Sequence, residues 1–363
     1  MKRTKRHLFS MISVLAGCQF AQQALANTCR WDAAAGPINY QANLGSVYVP
    51  RDASVGSVIG VIDRFVFSNS SGPAITCTND GTGVTLNFSA RNVAPFDRGF
   101  QGAINGERGN DKIFATNIPG VGARITLESG FDGAAGNSFK PIGGPPIVPF
   151  DALMDQRLIV PFNLSRLRSQ VTLIKTGPIA PGPQIVNRHM FDGHFSDIGK
   201  GFGYNLNATV IQSQCAVGAN PVSVDPVPLG TWQVSDFTHP GFTTAPAAFT
   251  ITLSSCEADP TNANQANAHI RLDGANGSLP VGDGSRGVFS LSSGSTARGV
   301  GMQIMRGDGV TPVPLGTDVS FGAIEDGKDK ALDFTARFYQ IDNVGQIGPG
   351  KAEGALSFTI TFQ

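Results

Sequence analysis

The side chains in this sequence that could do chemistry are few, and most are cysteines or charged groups in loops. Cys29, Cys77, Cys215 and Cys256 form an even set once Cys18, which lies in the N-terminal apolar stretch, is set aside. None is spaced C-x-x-C, the arrangement used by zinc and dithiol sites, so two disulfides formed in an oxidising compartment are expected. Their order suggests local pairing, Cys29 with Cys77 and Cys215 with Cys256, one bridge in each half; the other two connectivities would tie the halves together. Each local loop should stabilise its half by about 3 to 4 kcal/mol on the chain-entropy estimate.

His189, Asp192 and His194 have the types of metal ligands. Two histidines at odd separation face opposite sides of a strand, so no metal is expected there. Arg306-Gly307-Asp308 spells an integrin-type tripeptide, yet Gly-Asp-Gly is turn chemistry and a turn is the expectation. Nucleophilic serine catalysis would need Gly-x-Ser-x-Gly, which does not occur. Gly120-Val121-Gly122 and Gly201-Phe202-Gly203 lack the third glycine of a dinucleotide loop and read as turns. Carboxylates such as Asp97, Glu107, Asp111 and Asp132 suit sugar hydroxyls. The stretch from Phe96, Asp97 and Arg98 to Asn110 and Asp111 is the expected recognition rim, because loops at sandwich ends carry binding. No cofactor is implied by any of these residues.

The elements that must position these groups are strands. Gly and Pro number 45 and 23 of 363 residues, too many for long helices. Between them lie short alternating or β-branched runs at 46–49, 58–62, 84–88, 124–127, 158–162 and 170–174, which predict strands. Many short strands with no sustained helical period indicate β-sandwiches. Charged residues are 15% of the chain, against about a quarter in ordinary domains, and Lys plus Arg equal Asp plus Glu at 27 each. No basic field exists for nucleic acid.

Met1 to His7 is cationic, Leu8 to Gly17 apolar, and Ala24-Leu25-Ala26 a small-x-small site, which reads as a signal peptide over 1–26. Leu15-Ala16-Gly17-Cys18 also fits a lipoprotein box, the alternative in which Cys18 anchors an envelope protein to a membrane. A secreted carbohydrate-active enzyme is a second alternative and would need two closely spaced carboxylates in one cleft. No later apolar run reaches 20 residues. A boundary is expected at 211/212, where a strand-like run to Ile211 meets Gln212-Ser213-Gln214, a short joint that permits bending.

The last residues alternate cleanly: Leu356, Phe358, Ile360 and Phe362 on one face, Ser357, Thr359 and Thr361 on the other. This ending, with Phe362 penultimate and Gly350 fourteen positions from the end, resembles that of chaperone-usher pilus subunits. Leu332 to Gln340, Gly345 to Gly350, Gly299 to Ile304 and Pro314-Leu315-Gly316 extend the resemblance over about 215–363. Asn43 to Val49, Val55 to Gly60, Cys77-Thr78-Asn79 and Ile113 to Ile125 are similar to the receptor domains of fimbrial adhesins, the type 3 group in particular.

The resemblance implies an all-β protein of two sandwiches, a receptor-binding domain over 27–211 and an incomplete immunoglobulin-like pilin domain over 212–363. The latter lacks a strand and takes it from outside, first from a periplasmic chaperone and then from an adjacent pilus subunit. Leu356, Phe358, Ile360 and Phe362 would anchor that contact. The implied protein is a non-enzymatic tip adhesin, exported through the periplasm and an outer-membrane usher to the fimbrium tip at the cell surface. Its implied ligand is a host glycan or a matrix protein such as collagen. The mannose pocket of type 1 adhesins, built on an N-terminal Phe, does not carry over, since cleavage after Ala26 exposes Asn27.

Overall fold

The computed structural model describes residues 27–32, 36–70, 74–100, 102–104 and 112–363. The signal-peptide stretch, Glu107, Asn110 and Asp111 lie outside the described residues. Strands dominate, and the only described helical turns are the short 3-10 segments Val234–Asp236 and Val344–Gln346.

Apolar residues gather into two large cores. One draws on Cys29 through Val210, the other on Cys215 through Phe362. In the first, alternation decides which side chains enter. Strand Ile38–Pro50 buries Ile38, Tyr40, Ala42 and Leu44 and exposes the residues between them. It lies parallel to the long strand Gly199–Val222, which pairs antiparallel with Gln184–Phe195 on its other side. A second sheet, in the order Val58–Asn69, Arg166–Lys175, Val121–Leu127 and Phe114–Ala115, completes the sandwich. Between them Phe88 packs against Phe131 at 4.3 Å and Phe195 at 5.1 Å. The buried hydroxyls of Ser169 and Tyr204 satisfy each other at 2.7 Å. A small third sheet carries the Cys29–Cys77 bridge, with the two cysteines directly opposed on strands Thr28–Trp31 and Ile75–Thr78.

The second core lies between two further sheets. One runs Val288–Ser290, Val300–Arg306, Lys330–Gln340, Ala247–Glu257 and then the end of the long strand. The other has three strands in the order Val319–Ala323, Asn267–Ala275, Ala355–Phe362. Cys215 and Cys256 are bridged. Both disulfides therefore have the local pairing their order suggested.

Several expectations are corrected. Gly201-Phe202-Gly203, read as a turn, lies inside the strand Gly199–Val222, with Phe202 paired to Ile38 and Gly193. The joint at 212–214 is not a bend: it lies within the 24-residue strand Gly199–Val222. There Gln212 pairs with Val49, Ser213 with Pro50 and Gln214 with Glu257, and Gln212 Nε2 donates to the carbonyls of Ile179 and Ala180 at 2.9 Å each. Main-chain pairing on successive residues removes the freedom a linker would have. The apolar run 158–162 is a strand only from Phe162 onward, with Ile159 94% exposed. A short apolar run carries no tertiary information, and here Leu158 N–H bonds instead to the Asn79 carbonyl at 2.7 Å.

Candidate functional site

Strand Ala355–Phe362 pairs with Asn267–Ala275 along its whole length, Ala355 opposite Ala275 and Phe362 opposite Ala268. It is the outermost strand of its sheet. Gln363 exchanges both main-chain hydrogen bonds with Asn267, at 3.1 and 2.7 Å. By the alternation of an antiparallel ladder, the main-chain groups of Leu356, Phe358, Ile360 and Phe362 therefore point away from that neighbour, to the open edge. Their side chains face the core. Phe362 is fully buried, but Leu356, Phe358 and Ile360 are only half-buried against the second core. Over Leu356 to Phe358 the inward face is half wet and, among the described residues, no strand pairs the outward main-chain groups.

Gly350, just before this strand, has φ +156°, and a Cβ there would lie 2.5 Å from Thr296 Oγ1 and 2.6 Å from the Ala297 nitrogen. Next to it, Lys351 N–H donates to Thr296 Oγ1 and the Lys351 carbonyl accepts from Thr296 and Ala297. The close passage explains why glycine stands there. A pocket of about 250 Å³ lined by Trp232, Phe237, Phe338, Ile347 and Ala352 opens beside the segment Gly348 to Gly350.

The far end of the strand is held by residues the sequence did not single out. Asp52 N–H donates to the Phe362 carbonyl at 2.9 Å, and the Asp52 carboxylate accepts the Phe362 N–H at 2.8 Å. Arg51 donates to the Ile360 carbonyl at 3.1 Å and its guanidinium lies 4.9 Å from the centre of the Phe362 ring. The Arg51 carbonyl accepts from the buried Lys175 ammonium at 2.7 Å. Burial pushes the Lys175 pKa down, opposed by the nearby Asp52 charge. Asn264 adds bonds to the Tyr48 and Val58 carbonyls at 2.7 and 2.9 Å. A short polar turn gives no periodic signal, so nothing in the sequence announced this clasp.

The other expected residues are placed as follows. The Phe96 ring stacks on Phe114 at 5.3 Å and is 38% exposed. Asp97 Oδ1 accepts the Gly99 N–H at 3.1 Å, and Arg98 is exposed. Phe100 and Ile104 turn inward onto Val58, Ile113 and Ile174, a small core at the end nearest the joint. Asp192 bonds His189 at 2.7 Å and Lys200 at 2.9 Å, while burial, first, and the Arg91 charge hold His194 below its ordinary pKa. Arg306 lies over Phe321 at 4.5 Å and donates to the Ser320 carbonyl, and the Asp308 carboxylate accepts from Val310 and Thr311. The tripeptide is a turn whose two charged ends are already engaged.

Residues 204–363 match the family model described as fimbrial protein. This part of the chain is therefore similar to a fimbrial protein domain. The half-wet strand Ala355–Phe362 is its last element. The chain as a whole is similar to a fimbria adhesin protein of Klebsiella pneumoniae, 24% identical over 341 residues, covering 89% of this chain and 91% of that one. Among solved structures it is similar to a tip adhesin of Pseudomonas aeruginosa, at 16% identity, 92% and 94% coverage and a TM-score of 0.35. It is also similar to the receptor-binding domain of a plasmid-borne Klebsiella pneumoniae adhesin, at 19% identity, 53% and 100% coverage and a TM-score of 0.31.

Proposed function

We propose that the chain is the tip adhesin of a chaperone-usher fimbria. In this reading residues 27–211 form the ligand-binding domain and 212–363 the fimbrial domain. The fimbrial domain accepts a strand from a periplasmic chaperone and then, through the outer-membrane usher, from the adjacent subunit. The observation that carries the reading is the edge of Ala355–Phe362, open ahead of the Arg51 and Asp52 clasp, with Leu356, Phe358 and Ile360 half-buried beneath it. A guest strand of alternating apolar residues would pair the edge and cover those side chains.

A second observation supports the terminal position. A subunit inside a fibre donates a free extension ahead of its first cysteine. Here the residues ahead of Cys215 are paired on both sides within the long strand, Val210 to Gln184 and to Val47. The fimbrial domain can receive a strand and has none to give. Binding of a host glycan or a matrix protein such as collagen would fall to the other domain, with Phe96, Asp97 and Arg98 as one candidate contact loop.

The test is capture. With the chain co-produced with the chaperone of its own assembly system, Phe358→Ser and Ile360→Ser should each reduce chaperone-bound protein at least tenfold and abolish incorporation into fibres. Phe362→Ser should do the same. Unchanged capture and incorporation by all three variants would refute the reading.

A further inference from the structure

The outer face of strand Val58–Asn69 is left uncovered by the fold. Phe65 and Phe67 are 60% and 58% exposed, although burying a phenylalanine is worth about 1.5 to 3 kcal/mol. The register decides their neighbours: Phe67 stands opposite Arg168, Asn69 opposite Arg166, and Phe65 opposite Gln170, which on its other side faces Thr126. Opposed residues share a face, so these side chains make one continuous surface. The Arg168 guanidinium lies 5.5 Å from the centre of the Phe67 ring, and Arg166 Nε donates to Asn69 Oδ1 at 2.9 Å.

Among the described residues neither Arg166 nor Arg168 is in an ion pair, whereas Arg124 on the same face is tied to Asp63 at 2.8 Å. Glu128, whose N–H donates to the Arg168 carbonyl at 3.0 Å, is the nearby acidic residue. Two guanidinium groups against one carboxylate leave the surface positive. It is also remote from the fimbrial domain. Val58 is at the joint, where its carbonyl accepts from Asn264, and Asn69 lies eleven residues further along the strand, a distance of about 36 Å at 3.3 Å per residue.

We propose that this face binds an anionic polysaccharide. Sugar rings would lie on Phe65 and Phe67, and carboxylate or sulfate groups would be held by Arg166 and Arg168. Guanidinium forks suit both anions, and the planar groups of Phe, Gln and Asn are spread over an open face. An acidic peptide adding as a strand fits less well. The edge of Val58–Asn69 is interrupted at Asp63, where φ is +47° and the register with the next strand shifts between Val171 and Leu173, and such bulges blunt strand addition. Binding here deepens the adhesin reading and rests on it for its purpose, but it is measured on the chain itself and is independent of fibre incorporation.

The experiment passes the full-length chain, held in its chaperone complex if it is isolated that way, over immobilised chondroitin sulfate, hyaluronate, neutral dextran and polyglutamate. The wild type should be retained on one or both anionic polysaccharides and not on dextran, with retention falling as salt rises. Phe65→Ser with Phe67→Ser, and separately Arg166→Gln with Arg168→Gln, should weaken retention at least tenfold while leaving the thermal unfolding transition in place. Retention of hyaluronate would assign the carboxylate, and of chondroitin sulfate alone the sulfate. No retention on either polysaccharide, undiminished retention by both double variants, or retention on polyglutamate alone would overturn the proposal.

Discussion

Asp52 takes up both main-chain groups of Phe362 from 310 residues away, and its contribution can be isolated. Asp52→Ala removes a charge-assisted acceptor at a partly exposed site, worth about 1 kcal/mol. Hydrogen exchange at the Phe362 amide should accelerate about fivefold in that variant, whereas Asp52→Asn, which keeps an acceptor oxygen, should stay near wild type. Equal exchange in all three proteins would show that the clasp does not form in solution. His194 gives a pH signature. Its folded-state pKa lies below the ordinary value because burial and the Arg91 and Lys200 charges outweigh the Asp192 charge. The unfolded chain therefore binds the proton more readily, so stability is full above about pH 6.5 and declines as pH falls below it. Unfolding temperatures recorded between pH 8 and pH 5 should drop toward acid, and His194→Gln should flatten part of that drop; a slope unchanged by the substitution would remove His194 as the cause.

At the scale of elements, the long strand Gly199–Val222 replaces a linker by a shared spine. Pairing of Gln212, Ser213 and Gln214 to Val49, Pro50 and Glu257 should protect this segment. Limited digestion of the chaperone-held chain with a nonspecific protease should leave 212–214 intact, and early cleavage there would contradict the continuous strand. Before the last strand, Gly350 has no space for a Cβ. Gly350→Ala must push Thr296 and Ala297 away from Lys351, and the yield of folded fimbrial domain should fall, measured as soluble chaperone-bound protein; an undiminished yield would mean that the crossing relaxes freely. The alternation of Leu356 to Phe362 was plain in the sequence, while of strand Ile38–Pro50 only the run 46–49 was read as a strand. The apolar run at Leu158 to Phe162 misled because its burial depended on where a loop crossed, not on its own pattern.

For the whole molecule, two cores and two local disulfides predict two units that lose stability separately, despite the strand they share. The bridged cysteines are 48 and 41 residues apart, so each bridge should contribute about 4 kcal/mol on the loop-entropy estimate. Replacing Cys29 and Cys77 together by Ala should lower the unfolding transition of the first half and leave that of the fimbrial domain nearly unmoved; an equal shift of both would show that the halves unfold as one. Composition and the period of the final strand were fixed within short stretches of chain, because side-chain alternation and turn chemistry are local, whereas the order of the cysteines suggested their pairing without excluding the other two. Which edge was left open, that Arg51 and Asp52 close one end of it, that the joint is a strand, and that Phe65 and Phe67 stand beside Arg168 on a bare face were decided only by tertiary pairing. Those facts depend on which distant strands lie side by side and in what register, and no local pattern of residues carries that information.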